Sequence, residues 1–249
     1  MNYFNEEHNL FRESLRDFLS REVSPNLSLW EKEGRIPKSI WKKMGDMGFL
    51  GLSLPEEYGG SNLDFFFEVI FNEELGRLNS GGFLITQQVV QYMSAPYIFK
   101  YGSEQLKQKY LPGIISGDLV SCIGITEPDA GSDTKNIQTK AEFINGEYVI
   151  NGSKTFITNG IYGDFVVLVV KTDAAAGSKG VSLICVDLNS PGITKNKLNK
   201  LGWHSSDTAE LHFNNVRVPK GNLIGVEGKG FQQQMEQFQF AYPLKDLGL

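Results

Sequence analysis

Cysteine is nearly absent from this chain, histidine is scarce, and basic residues do not outnumber acidic ones. The two cysteines, Cys122 and Cys185, sit in the apolar runs "VSCIGI" and "SLICVD", which marks them as reduced, buried thiols and excludes a disulfide framework. His8, His204 and His212 have no metal-ligand spacing, so no metal centre is expected. With 24 Lys and Arg against 29 Asp and Glu the net charge is -5, which gives no field for nucleic acid or for an anionic membrane surface. No apolar run approaches the ~18 residues of a membrane span, and "MNYFNEEHNLF" lacks the pattern of a secretory signal or organelle presequence. A cytoplasmic protein is the expectation. Repeats and low-complexity tracts are also missing. What is present is a 249-residue chain that is 41% hydrophobic, enough to bury one large core or two smaller ones.

The hydrophobic period changes along the chain. Residues 1–117 read as an amino-terminal helical domain. Leu10, Phe11, Leu15, Phe18, Leu19 and Val23 recur at helical spacing behind a capping Asn5, with Pro25 as terminator. A second helix begins near Pro37 and ends at Gly48, a third runs from about Asp64 to Leu78, and a fourth passes through "GFLITQQVVQYMSAPYIFKYG". A fifth is capped by Ser103 and ended by Pro112. Residues 118–227 then read as a middle β domain of short strands rich in Val, Ile, Phe and Thr. Asn145-Gly146 and Asn151-Gly152 are its strongest hairpin signals. From 228 to 249 the helical period returns, with Phe231, Met235 and Phe238 on one stripe. The fold class is α+β and multidomain: an all-α domain, an antiparallel barrel-like β domain, and the start of a third, helical domain.

Two stretches carry candidate chemistry. In "ITEPDAGSD" the strand that reaches Thr126 cannot continue, because Pro128 has no donor and Gly131 readily takes a positive φ. The turn gathers N–H groups and the Thr126 and Ser132 hydroxyls in one concavity suited to carbonyl or phosphate oxygens. In "GSKTFITNG", strand alternation puts Phe156 and Thr158 on one face, an aromatic beside a hydroxyl, which suits a planar heteroaromatic ring. An ordinary capped loop and a pair of good strand formers would also account for each stretch taken singly.

Taken together, these stretches resemble the signatures of the acyl-CoA dehydrogenase family of flavoenzymes. The resemblance extends over "EEHNLFRESLRDFLSREVSP", "WKKMGDMGFLGLSLPEEYGG", "KYGSEQLKQKYLPGIISGD" and "LGWHSSDTAELHFNNVRVPKGNLIGVEGKGF", and the last of these is most similar to a bacterial and long-chain-like branch. It implies FAD as cofactor, an acyl-CoA substrate in fatty acid metabolism, an electron-transfer flavoprotein as partner, and a homo-oligomer. The reaction implied is α,β-dehydrogenation of the thioester. Carried over by position, Thr126 would hold the flavin pyrimidine edge. Gly131 and Ser132 would meet the pyrophosphate or the pantetheine side, and Phe156 and Thr158 would flank the ring. Ser178, in "AAAGSKG", would touch a CoA phosphate. Asp129 stands where glycine is also frequent in the family.

No catalytic base is assigned. In most of the family a glutamate lies far along a carboxyl-terminal helical domain that this sequence does not develop. In the branch it most resembles, the base sits in a Glu-Arg pair on the helix begun by "GKGFQQQMEQF", and that register reaches Ala241 and Tyr242 here. Glu236, the nearest carboxylate, is five residues before Ala241 and faces elsewhere. The expectation is a truncated member whose dehydrogenation is lost or impaired. The alternatives are a non-catalytic remnant that binds acyl-CoA or flavin, and a relative that oxidises a nitroalkane or hydroxylates an aromatic.

Overall fold

The computed structural model describes residues 3–240. Helix α1, Glu6–Phe18, starts on a reciprocal cap. The Asn5 side chain accepts from the His8 N–H at 2.9 Å, and His8 Nδ1 accepts from the Asn5 N–H at 3.1 Å, so histidine takes the place usually held by Glu or Gln. Leu15, Phe18, Leu19 and Val23 are buried as expected, whereas Leu10 is exposed because it lies off the stripe that His8 and Leu15 define. Pro25 does not end the helical run. After a π turn at Leu19–Val23, the proline sits in the first turn of a 3-10 segment, Ser24–Asn26, where its missing donor is harmless. Helix α2, Leu27–Glu33, follows directly and anchors itself through Trp30, stacked on Phe83 at 5.9 Å.

Helix α3, Lys38–Asp46, takes Pro37 as its N-cap, and α4, Phe65–Arg77, is capped by Asp64. The buried Glu74 of α4 receives Arg12 at 2.9 Å and Arg16 at 2.8 Å from α1. The fourth expected helix is split. Helix α5, Gly81–Gln88, passes through a π turn at Val89–Ser94 into α6, Ala95–Tyr101, with the Ser94 hydroxyl donating back to Val89 O at 3.0 Å. Helix α7, Glu104–Ile115, starts at Ser103 but runs through Pro112 for one more turn, since a proline near the carboxyl end forfeits only one backbone hydrogen bond. No helix among the described residues is long and apolar enough to cross a membrane.

The strands are β1 (Ser121–Gly124), β2 (Lys140–Ile144), β3 (Glu147–Thr158), β4 (Phe165–Lys171), β5 (Val181–Asp187), β6 (Ile193–Lys197), β7 (Thr208–Pro219) and β8 (Leu223–Ile224). They form one sheet in the order β6-β7-β3-β2-β4-β5-β8, with β1 beside β4. Most pairings are antiparallel as expected, but β1 with β4 and β2 with β4 are parallel, so the sheet is mixed. Asn145-Gly146 makes the predicted hairpin between β2 and β3, both residues at positive φ. Asn151-Gly152 does not. It lies inside the continuous strand β3, at a bulge against β7 where Gly152 takes φ +145°, and a Cβ there would come 2.6 Å from Thr139 Cα.

Strands β4 and β5 are buried on both faces. Val167, Val169, Leu183 and Cys185 join the core of the helical half, while Val166, Leu168, Ile184 and Val186 join the core of the β half. Polar ties also bind the halves: Lys38 to Asp164 at 2.5 Å, Lys197 Nζ to Gly34 O at 2.7 Å, and Ser205 Oγ to Glu31 at 2.5 Å. Helix α8, Gly230–Phe240, packs against β5 and α6. Gln233, Gln234 and Gln237 are buried on it; of the expected apolar stripe, Phe231 packs against the core of the helical half, Phe238 is half-buried and Met235 is exposed.

Candidate functional site

The loop after β1 is clamped to β3. Glu127 and Ala130 exchange backbone hydrogen bonds of 2.8 and 3.3 Å across the Pro128-Asp129 turn, and the Thr155 N–H donates to Thr126 O at 2.9 Å. Beneath the turn lies an ion pair that sequence reasoning missed. Lys154 is 0% exposed, and its Nζ reaches Glu127 Oε1 at 2.7 Å and Ile125 O at 3.0 Å. The other donors to the Glu127 carboxylate are the N–H groups of Gln138 at 2.5 Å and Thr139 at 2.9 Å. Burial pushes the Lys154 ammonium down to about 8 against the pull of Glu127. Burial alone would raise the Glu127 carboxyl, but Lys154 and the N–H donors outweigh it and hold the acid below its ordinary value. Both groups are therefore charged at neutral pH.

The candidate residues fall around this clamp. Thr126 and Thr158 are half-buried and Ser132 is exposed, and none of their hydroxyls has a hydrogen-bond partner among the described residues. Gly131 is exposed and does not take the positive φ expected of it, and a Cβ there would meet nothing within 4 Å. The turn is made by Pro128 and Asp129 instead. Phe156 and Thr158 stand on either side of the buried Ile157, just where β3 bulges against β7 between Lys154 and Ile157. Phe156 sits in that bulge at φ +59°, 69% exposed, between the buried Thr155 and Ile157. Left-handed backbone in a bulky residue is costly and marks positions where projecting the side chain matters. Ser178, half-buried in the 3-10 turn Gly177–Gly180, is brought beside the Thr134–Asn136 turn that follows Ser132.

Beyond Thr158 the chain is held by Asn159, whose side chain donates to Thr86 O at 3.2 Å and Ser121 O at 3.1 Å. Asp207 accepts from the N–H groups of Ile161 at 2.6 Å and Tyr162 at 3.3 Å, and burial raises its pKa. Trp203, 57% exposed at φ +55°, stands over the start of α5 against Gly81. The visible signals for these residues were a lysine within an apolar strand and a tryptophan in a glycine-serine loop. Glu236 does not address the cradle: it accepts from Tyr101 at 2.6 Å and Gln232 at 2.9 Å and lies 3.5 Å from Lys100. Ala241 and Tyr242 lie outside the described residues. No cluster of metal-ligating side chains occurs among the described residues.

Hydroxyls without a partner among the described residues, a projecting aromatic and a buried ion pair thus lie together at the junction of β1 and β3. The acyl-CoA dehydrogenase N-terminal domain matches residues 5–118, and the acyl-CoA dehydrogenase middle domain matches residues 122–216. The chain belongs to the acyl-CoA dehydrogenase family. Members of this family are oxidoreductases that bind FAD. The chain is 39% identical over 239 residues to the mitochondrial long-chain specific acyl-CoA dehydrogenase of Sus scrofa, covering 94% of this chain and 55% of that one. It is similar to the crystal structure of an acyl-CoA dehydrogenase from Geobacillus kaustophilus, with TM-score 0.92 and 46% identity over 96% of this chain and 63% of that chain. A glutaryl-CoA dehydrogenase from Mycobacterium smegmatis in complex with FADH2 matches with TM-score 0.87 and 29% identity, over 96% of this chain and 60% of that one. The chain thus spans little more than half the length of these acyl-CoA dehydrogenases.

Proposed function

We propose that this chain is the flavin-carrying part of an acyl-CoA dehydrogenase that forms the Cα–Cβ double bond of an acyl-CoA thioester. The observation that carries the reading is the cradle: Thr126 and Thr158 hydroxyls with no partner among the described residues, close in the chain to Phe156, on a loop and strand locked together by Lys154 and Glu127. FAD fits these residues, because free hydroxyls and N–H groups suit its polar edge and Phe156 suits its flat ring. Thr126, Gly131, Ser132, Phe156 and Thr158 would hold it, and Ser132 and Ser178 would meet the CoA side of the substrate. Bound FAD would take up the two electrons removed from the thioester, and these would go on to an electron-transfer flavoprotein. The protein's own contribution is to hold ring and thioester in a fixed geometry that needs little rearrangement during reaction.

Proton removal is a separate requirement. A base must be a carboxylate free to accept the α-proton, and among the described acids Glu127 is engaged by Lys154 and Glu236 by Tyr101 and Gln232. This favours a second reading, in which the chain binds flavin and acyl-CoA without turnover. The visible spectrum of the purified protein, reconstituted with FAD, desalted and then mixed with acyl-CoA thioesters, tests both. Retained flavin is expected, and the double variant Thr126→Val/Thr158→Val should retain about tenfold less, as for the loss of one or two hydrogen bonds. Bleaching by a thioester would assign complete dehydrogenation to this chain, and retention without bleaching would assign the second reading. A protein that takes up no FAD would refute both.

A further inference from the structure

Asparagine is followed by glycine at Asn145-Gly146, Asn151-Gly152 and Asn159-Gly160. Such a pair is chemically labile wherever the backbone can move. The glycine nitrogen, with no side chain on its own residue to hinder it, attacks the asparagine side-chain carbonyl, closes a cyclic succinimide and expels ammonia. Water then opens the ring to aspartate or to isoaspartate, in which the main chain runs through the former side chain.

The fold treats these pairs differently. Asn159 is 2% exposed, and its Nδ2 donates to Thr86 O at 3.2 Å and Ser121 O at 3.1 Å. The Gly160 N–H is itself engaged with Ile157 O at 3.2 Å, and a Cβ on Gly160 would come 2.7 Å from Ala209. Asn151 is half-buried and doubly tied to Asn215, donating from Nδ2 to Asn215 Oδ1 at 3.2 Å and accepting the Asn215 N–H at 2.9 Å. Its glycine is wedged against Thr139 within the paired length of β3. Asn145 has none of these restraints. It is exposed, its side chain and the Gly146 N–H have no hydrogen-bond partner among the described residues, and a Cβ on Gly146 would meet nothing within 4 Å. Both residues lie beyond Ile144 and Glu147, the last pair between β2 and β3, and Ile144 is 39% exposed. Fraying of that single pair lets the tip rotate, while the next pair is held by Tyr148, fully buried with its ring 5.2 Å from that of Phe143.

We propose that Asn145 is the residue at which the folded chain deamidates, by attack of the Gly146 nitrogen on Asn145 Cγ. The new Cγ–N bond to Gly146 replaces the bond to the side-chain nitrogen, which leaves as ammonia together with the Gly146 N–H proton. One water then cleaves the ring. Cleavage at the main-chain carbonyl of Asn145 gives isoaspartate, which adds one carbon to the main chain at the hairpin tip and a negative charge two residues from Glu147. That free carboxylate is a methyl acceptor for an isoaspartyl carboxyl methyltransferase, which takes the methyl group from S-adenosylmethionine. Lys154 and Phe156 lie more than ~20 Å further along β3, so the cradle is out of reach of the change.

The full chain is incubated at mildly alkaline pH until half of a synthetic peptide spanning residues 140–150 has deamidated, then digested and mapped by mass spectrometry. Conversion is expected at Asn145 and about tenfold less at Asn151 or Asn159, each of which must first give up two hydrogen bonds. Asn145→Gly, whose Gly-Gly turn still suits the hairpin, should lose the acidic species on isoelectric focusing and the methyl uptake from S-adenosylmethionine in the presence of the methyltransferase. Should that variant not fold, Asn145→Asp, another favoured turn pair, reads the same site as lost ammonia release. A folded chain that keeps Asn145 intact, conversion at Asn151 or Asn159 that matches or precedes it, or acidic species and ammonia release that survive these substitutions would overturn the proposal.

Discussion

Replacing Lys154 by methionine removes the cation and keeps most of the side-chain volume. It leaves the Glu127 carboxylate buried, with the N–H groups of Gln138 and Thr139 as its remaining hydrogen-bond donors. Breaking one side of such a buried pair costs about 3–5 kcal/mol, a large share of the ~5–15 kcal/mol that holds a typical domain folded. For a chain of this size that corresponds to a drop of roughly 6–20 °C in Tm. The double variant Lys154→Met/Glu127→Gln removes both charges and should recover about half of the loss, since a neutral amide is far cheaper to bury than an unpaired carboxylate. Urea unfolding of the wild type, both single variants and the double variant gives the coupling energy directly. Additive effects, or a Lys154→Met loss under about 1 kcal/mol, would show that the pair is not what pins the loop to β3. FAD retention by the same variants would follow the loop, because Thr126 precedes Glu127 and Phe156 stands two residues beyond Lys154.

Glu127 is held below its ordinary 4.5 in the folded chain, so the folded state binds fewer protons than the unfolded one on the acid side. Its contribution is complete above the unfolded pKa and is lost as pH falls through the lower folded value. Glu127→Gln should therefore flatten the acid limb of a stability-against-pH curve below about pH 4.5, and an unchanged limb would contradict the ion pair's role. Gly152→Ala should destabilise by about 1–3 kcal/mol, because the residue combines φ +145° with a Cβ approach of 2.6 Å to Thr139; thermal unfolding checks this. Phe156→Gly should relieve the left-handed backbone and raise apo stability by about 1 kcal/mol while weakening FAD retention, and a fall in both would deny that the bulge is strained. Gln87 is fully buried, and neither amide atom has a hydrogen-bond partner among the described residues, so Gln87→Leu should stabilise the apo chain by about 1 kcal/mol in chemical denaturation.

Much of the architecture could be read from the sequence because period and caps are local properties. Asn5, Asp64 and Ser103 cap where their side-chain chemistry says they should, and β4 is buried along the length that its unbroken apolar run implies. The errors arose where tertiary structure overrides a local signal. Asn151-Gly152 is a strong hairpin dipeptide, but β7 pairs on both sides of it and turns it into a bulge. Pro25 and Pro112 read as stops in the sequence, yet each lies where a missing donor costs little. In the cradle, the threonines and Phe156 were visible as residue types, but their geometry was not. The left-handed backbone at Phe156 goes with a bulge of β3 against its partner β7, which no local pattern contains. Lys154 shows the limit most clearly, since only the fold places its ammonium under Glu127.

The two-sided burial of β4 and β5 also sets a schedule for synthesis. Helices α1 to α7 are complete at residue 115, but the strand faces that close their core, Val167 and Val169 with Leu183 and Cys185, come some 50–70 residues later. At ~5–20 residues per second, the nascent helical half waits roughly 3–14 s with an apolar side uncovered. A ribosome-bound chain stopped between α7 and β5 should therefore recruit hydrophobe-binding chaperones, and the same chain extended past β8 should release them. Slowing translation through the β1–β5 region would lengthen that wait and lower the soluble yield even though every contact in the finished fold is unchanged.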